Sequence, residues 1–578
     1  MKLNIYLLIL VCIFSFTQKI SAQINKVIQV TAKPVLYEKT DFDIQLISSW
    51  QNPYLENDVA LNMKLTSPSG KQLTLPCYYE QGESGRTSDW KARFTPQEVG
   101  EYYYSFELSK NGQVVSTSAS TIFKSAPSGK KGFLHARDNW TFKFDNGAAF
   151  RGVGENLCWE SRANDDSKYF KALHELPKYN YEYMLRSLAQ HGGNYFRTWI
   201  SNFNLPLDWH RNFNSHRYQE SDNYYNPSAI RKIDRMFDLA DSLKLYVMLT
   251  LGPGNYNPRE GGFSPTAADF FVNPNSKQQY KDRLRYLVAR WGYHTSLGAW
   301  EFFNEVDNVQ FRDPKKPING DSIVVWHDEM SRYLKSIDPY KHLVTTSISH
   351  RDIKGLNSLE GIDFNQKHIY RATASIPNAI TSYERLFGKP YVIGEYSYEW
   401  DWSKNFDDYA PQMDSDFKRG LWYGLFSPTP VLPLSWWWEY FDNRKTDAYI
   451  SRVRKLSDMM LASGKADFKT VMINNPDSLL VSYGVQCGNQ IYLYVYNASM
   501  QSRLANLKLD LPVSARRVRT YNCEADKFKT GNTQTILRRG RLKWSLAPQT
   551  DMVFIIESNG AALGRGSNKN LRQKITTE

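Results

Sequence analysis

Two glutamates carry the most specific chemistry in this sequence. Glu305 closes the run Trp300-Glu-Phe-Phe-Asn304-Glu305, and Glu395 closes Tyr391-Val-Ile-Gly394-Glu395. Each follows a short apolar run of the kind that forms a buried strand, so each carboxylate is expected at a strand end. Two carboxylates facing across a cleft are the equipment of glycoside hydrolysis. One protonates the departing oxygen, and the other attacks the anomeric carbon or activates water. A gap of about 5 Å gives the covalent, retaining route and a wider gap gives inversion. The sequence leaves that choice open.

The elements that must position the pair fall into three regions. From about Val27 to Phe123, short alternating strands such as Phe42-Asp-Ile-Gln-Leu-Ile, separated by turns, predict an immunoglobulin-like β-sandwich. After Gly132 strand-like runs alternate with helical patterns, one of them opened by Asn180 as N-cap and carrying Met184, Leu185 and Leu188. Eight candidate strands run from Phe150–Gly154 and Tyr195–Trp199 through Ala299–Phe303, Phe364–Ile369 and Tyr391–Ile393 to Val431–Trp436. The predicted class is therefore α/β: a (β/α)8 TIM barrel, whose catalytic groups belong at the C-terminal strand ends, flanked by the N-terminal sandwich and a small C-terminal β-sandwich. No GxGxxG opens the first helix, which disfavours a doubly wound sheet. The expected boundaries are 1–22 signal peptide, 23–125 N-terminal sandwich, 132–464 barrel, 465–557 C-terminal sandwich and 558–578 disordered tail.

The segment Gly132–Lys465 resembles the clan A (β/α)8 glycoside hydrolases, cellulase- and mannanase-like enzymes with acid/base and nucleophile on strands four and seven. The resemblance rests on Asn304-Glu305 after strand four and on Glu395 after an apolar strand and a glycine. It implies that Glu305 is the acid/base, that Glu395 is the nucleophile and that configuration is retained. It further implies that Asn304 binds the sugar 2-hydroxyl, that Arg197 at strand two supports the nucleophile and keeps it ionised, and that His368 and Tyr370 after strand six line the site. Trp436 at strand eight would stack under the sugar. Period-two alternation through Trp436-Trp-Trp438 would put one ring in the site and its neighbour outside, with Trp438 the rival if the register slips. Glu155, Glu399 and Glu439 are lesser candidates for chemistry. Trp199, Trp209, Trp400 and Trp402, with Tyr256 and Asn257, are candidate sugar platforms or plain loop packing. The three-part architecture is similar to exported polysaccharide-degrading enzymes of Bacteroidetes, whose N-terminal module has no known function and whose C-terminal module carries a collagen-binding label.

Composition and ends bound the remaining possibilities. Apolar residues make up 41%, charged residues 23% and aromatics 14%, values that exclude disorder, collagen and a multi-span membrane protein. Lys2, the apolar run Ile5–Phe16 and small residues to Ala22 read as a cleaved export signal, placing the chain in the periplasm or outside the cell. No later run is long enough to span a bilayer. Of the net charge of +13, +7 lies between Ser514 and Lys543, a basic face for solvent or for an anionic glycan or surface. No nucleic-acid signature accompanies it. Cys487 and Cys523 fall in one expected domain, where pairing stays open. No Cys/His cluster suggests a metal, and neither metal nor cofactor is expected. The expected partner is a polysaccharide or a derived oligosaccharide. The other readings are a glycan-binding protein on a degenerate barrel and a matrix adhesin acting through the C-terminal domain.

Overall fold

Residues two apart on a strand share a face, and the central strands use that period to change chemistry along their length. Tyr195, Met248, Ala299, Leu343, Phe364 and Val392 belong to one buried apolar cluster. Two residues further on, Arg197, Thr250, Glu301 and Thr345 are buried and polar. The chain thus lays an apolar floor at the strand starts and a polar layer towards the strand ends.

The computed structural model describes residues 22–211, 214–254, 264, 266–464, 466–509, 515–531, 537–538 and 540–558. The expected signal peptide, apart from Ala22, lies outside these residues, as do the tail beyond Ser558 and the loop residues Tyr256 and Asn257. Among the described residues no helix is long and apolar enough to cross a membrane.

The fold is mixed α/β. Strands β1 (Gly154–Asn156), β2 (Tyr195–Trp199), β3 (Tyr246–Thr250), β4 (Leu297–Glu301) and β5 (Val344–Thr345) pair in parallel in that order. After a break at Thr346, Ser347–Ile348 pairs in parallel with β6 (Asn365–Tyr370), which pairs with β7 (Tyr391–Ser397). The expected eighth strand over Val431–Trp436 is reduced to isolated bridges. Val431 bridges Gly152, and Ser435 bridges both Glu155 and Tyr396 in parallel. Pro433 has no N–H to offer a neighbour, and Trp437 turns to φ 68° before the helix Trp438–Arg444. The main chain still bonds both sides, through Leu434 N–H to Ile393 O, Trp436 N–H to Tyr396 O and Asn156 N–H to Ser435 O.

The first expected strand is also displaced. Ala149–Phe150 pairs with Phe142–Phe144, which pairs with Leu134–Ala136 in a small antiparallel sheet. Phe142, Phe144 and Phe150 need apolar cover more than parallel pairing, and they join the floor cluster. Next to them the buried Arg151 guanidinium donates to the carbonyls of Gly424, Leu425, Ser427 and Thr429. Four acceptors satisfy a cation that burial alone would expel.

The helices follow their caps. Asn180 accepts from Tyr183 N–H and opens Tyr181–Gln190, which buries Met184, Leu185 and Leu188 as the periodicity predicts. Asn226 caps Pro227–Leu243, with proline in its first turn and Lys244 left-handed at its end.

Beyond residue 465, two antiparallel sheets close on one core that includes Leu493, Val495, Leu507, Leu542 and Phe554. They dock on helix Ala410–Leu425, where Trp422 stacks on Tyr494 at 5.8 Å and Lys418 pairs with Glu524 and Asp551. Cys487 and Cys523 are both free and buried, so this domain is held by packing and not by a disulfide between them. By contact density the chain separates into two units, residues up to Ser128 with Asp282–Tyr293, and the remainder. The first unit holds two antiparallel sheets. Strand Thr40–Ile47 alternates buried and half-buried positions as its sequence predicts, and Phe42, Tyr104, Phe106 and Phe123 make mutual ring contacts in its core.

Candidate active site

Arg197, on β2 and fully buried, is the hub of the polar layer. Its Nε and one terminal nitrogen grip Glu301 of β4 at 2.6 and 2.9 Å, a bidentate pair. The same Nη2 reaches Asn304 Oδ1 at 2.8 Å, and Nη1 reaches Glu395 Oε1 at 2.7 Å and Asn156 Oδ1 at 3.2 Å. Burial works against the guanidinium charge, but Glu301 and Glu395 outweigh it and raise the Arg197 pKa.

Glu395 sits inside β7. A Cβ on the preceding Gly394 would fall 1.8 Å from Gln366 Oε1, so the glycine leaves room for the buried Gln366 side chain of β6. Besides Arg197, Glu395 accepts from the Tyr370 hydroxyl, which is 2.6 Å from Oε2. Glu305 follows β4 in a left-handed backbone conformation, φ 50°, that a residue with a Cβ adopts at some cost. Its N–H donates to Ser347 Oγ, and its Oε2 accepts from the Asn308 amide at 2.7 Å. His368 joins the two carboxylates: Nδ1 lies 2.8 Å from Glu305 Oε1 and 3.3 Å from Glu395 Oε2.

The electrostatics of the pair are unequal. Burial pushes the Glu305 carboxyl up, but the hydrogen bond and charge of His368, the charge of Arg197 and the Asn308 amide hold it below the ordinary carboxylate range. At Glu395 burial prevails. His368, Arg197 and the Tyr370 hydroxyl only partly offset it, Glu305 adds to it, and the group lies above its ordinary range. Arg197 thus lowers Glu395, but burial outweighs it.

Glu305, His368 and Glu395 each offer a ligand atom within 4.8 Å of the others, so this is also where a metal ion could be held. An ion there would compete with the His368–Glu305 hydrogen bond and would face the Arg197 charge.

Six of the seven expected site residues thus lie in one hydrogen-bonded cluster: Glu305, Glu395, Asn304, Arg197, His368 and Tyr370. The seventh, Trp436, reaches it through rings. Its centroid is 5.4 Å from that of Trp199, which lies under the Arg197 guanidinium at 5.5 Å. The chain leaves the extended conformation at Trp437, yet Trp436 and Trp438 still share one side and Trp437 takes the other. Trp436 and Trp438 both abut Trp159, at 5.3 and 4.7 Å, while Trp437 donates to Glu399 O.

Among the described residues the three lesser carboxylates stand outside the cluster. Burial drives Glu155 far above its ordinary range, with Asp447, Asp442 and Glu439 adding to the push. Burial likewise brings Glu439 to about 7. Glu399 is clamped by Arg371 and Lys404. Glu301 and Asn156 were not singled out from sequence. Glu301 had a signal, since it lies two residues beyond Ala299 on the same strand face, and an inward carboxylate needs a cation.

Residues 35–109 match a domain family of unknown function, DUF5060, in agreement with the expected N-terminal module. A candidate glycoside hydrolase of Bacteroides vulgatus has a similar fold, with TM-score 0.63 and 15% identity over 91% of this chain and 100% of that one. In sequence the chain is similar to mannan endo-1,4-beta-mannosidase A of Podospora anserina, 23% identical over 30% of this chain and 52% of that protein. It is also similar to mannan endo-1,4-beta-mannosidase 8 of Oryza sativa subsp. japonica, 35% identical over 24% of this chain and 48% of that protein. The chain spans about half the length of the curated relatives it matches. It resembles the clan A glycoside hydrolases, as its strand-end motifs implied.

Proposed function

We propose that the chain is a retaining glycoside hydrolase acting on a polysaccharide or a derived oligosaccharide, with its site at the C-terminal end of a (β/α)8 barrel. The observation that carries this reading is the placement of one oxygen each of Glu305 and Glu395 within 4.8 Å. So close an oxygen pair supports the retaining arrangement, with carboxyl groups about 5–5.5 Å apart, over the roughly 6.5–9.5 Å of inversion. Closure of the ring is supported by Ser435, which bridges both β1 and β7.

In the first step a Glu395 oxygen bonds to the anomeric carbon while Glu305 passes its proton to the departing glycosidic oxygen. In the second, Glu305 takes a proton from water as the water oxygen displaces Glu395 and frees the sugar. The first step needs the proton on Glu305 and the charge on Glu395, the reverse of the resting bias. His368 supplies the reversal. A glycosidic oxygen entering at Glu305 displaces the His368 hydrogen bond, leaving burial free to raise Glu305, which takes its proton from solvent, while His368 turns its donor fully to Glu395. Asn304, held through its oxygen by Arg197, presents its amide nitrogen to the sugar 2-hydroxyl. Trp436 lies beneath the ring.

Tyr370→Phe removes a hydrogen bond that lowers the Glu395 pKa, so the carboxyl rises further. The acid limb of kcat/KM is expected to move to higher pH, with the plateau less affected; a pH profile on a soluble substrate checks this.

The domain boundaries 23–125, 132–464 and 465–557 and export through residues 1–22 belong to the same proposal. β-1,4-Mannan is the first substrate to test, because the sequence relatives are mannan endo-1,4-beta-mannosidases. Incubation with mannan, xylan and β-glucan, followed by chromatography, is expected to show release by wild type and none by Glu305→Ala or Glu395→Ala. Glycan binding without release by wild type would favour a binding protein instead.

A further inference from the structure

Beyond β7 the chain exposes aromatic surface that the catalytic cluster does not use. Tyr398, Trp400 and Trp402 are 39%, 55% and 46% exposed. Large rings in water at neighbouring positions call for a partner. The loop that carries them is pinned at Glu399. Glu399, whose side chain is almost fully buried, accepts from Arg371 Nε at 2.7 Å, from Lys404 and from the N–H groups of Trp400 and Asp401 at 2.9 and 3.1 Å. Its carbonyl accepts from Trp437 Nε1 at 2.7 Å, tying the loop to the residue beside Trp436. Arg371 lies 5.3 Å from the Trp400 ring centre, backing one face, and its N–H donates to Ser397 O.

We propose that Trp400 and Trp402 form a distal binding platform for a neutral polysaccharide chain, beside the strand ends that carry the catalytic pair. Position supports this. Arg371 follows Tyr370 directly and Trp400 lies five residues beyond Glu395, so the platform stands at the strand ends that carry the site. Chemistry sets the ligand class. The C–H faces of pyranose rings lie against flat indoles, and a preorganised ring gives up little conformational entropy on binding. The charges that hold the loop, Arg371 and Lys404 against Glu399 and Asp401, cancel, so an acidic glycan has no unpaired cation to seek there. This inference rests on the hydrolase reading for the choice of a polysaccharide ligand, but its test separates the two.

The full chain carrying Glu395→Gln, with and without Trp400→Ala/Trp402→Ala, is run by affinity electrophoresis in gels containing galactomannan, arabinoxylan or mixed-linkage β-glucan. Retardation in at least one gel is expected, with the double variant weakened about tenfold, the equivalent of about 1.4 kcal/mol, and Trp400→Phe/Trp402→Phe retaining most of it. In the active background, kcat on a two-sugar aryl glycoside stays unchanged while KM for the polysaccharide rises. Equal retardation with and without the two indoles, or no retardation in any gel, overturns the platform. Retardation that depends on the indoles, in a chain that releases no sugar, upholds the platform and overturns the hydrolase reading alone.

Discussion

Replacing Glu395 by alanine is expected to lower kcat by about 10⁵-fold, since it removes the atom that bonds to the anomeric carbon. Binding of oligosaccharide should persist, because Asn304 and the tryptophans are untouched. The vacated space beneath the anomeric carbon then admits a small anion. Added azide is expected to restore turnover of an activated aryl glycoside and to give the glycosyl azide of inverted configuration, with Glu305 idle because the leaving group needs no proton. Glu305→Ala should behave differently. It loses about 10²- to 10⁴-fold on unactivated substrate, and azide resolves its glycosyl-enzyme to the azide of retained configuration. Kinetics and product configuration together assign each glutamate its role. The same azide configuration from both variants would refute the assignment.

Arg197→Met is expected to give the largest loss of stability of any single change at the site. Glu301 and Glu395 would be left as buried carboxylates without their cation, and breaking such a pair typically costs about 3–5 kcal/mol. Asn304 and Asn156 would lose their donor as well. Part of the cost is avoided if one carboxyl takes up a proton, and Glu395, already raised by burial, is the group that does so. The variant should therefore melt at lower temperature and lose most activity near neutral pH, where a protonated Glu395 cannot attack. Arg197→Lys keeps the charge but not the planar fork that grips Glu301 with two nitrogens, so it should recover only part of the stability. Thermal unfolding of both variants beside wild type checks this. Wild-type melting in Arg197→Met would show that the cluster is not held by its cation.

Much of the site was legible because strands are simple. Apolar runs of a few residues pointed to Glu305 and Glu395, although β7 runs two residues past Glu395 and β4 stops four short of Glu305, and a polar residue two positions beyond a core residue faces the same way, as Arg197 does after Tyr195. Asn180 announced a helix through its own side chain. What escaped the sequence depended on partners distant in the chain. Glu301 looked like one more strand residue until Arg197 was set against it. The segment Val431–Trp436 reads as apolar and extended, but Pro433 and the left-handed Trp437 limit its pairing to bridges. Phe150 seemed to open a strand, whereas the floor of the apolar cluster claims it, and parallel pairing begins only at Gly154. The balance of charge between the carboxylates was the least legible feature, since it turns on the contact of His368 with both and on the burial of each.

The most direct test of the central claim is the configuration of the first product. Proton NMR should follow hydrolysis of the β-linked polysaccharide that wild type cleaves, with enzyme enough to outrun mutarotation. The account predicts that the β-anomer of the new reducing end appears first and the α-anomer only later, as mutarotation proceeds. Initial appearance of the α-anomer would mean direct attack by water, and Glu395 would then be a base and not a nucleophile.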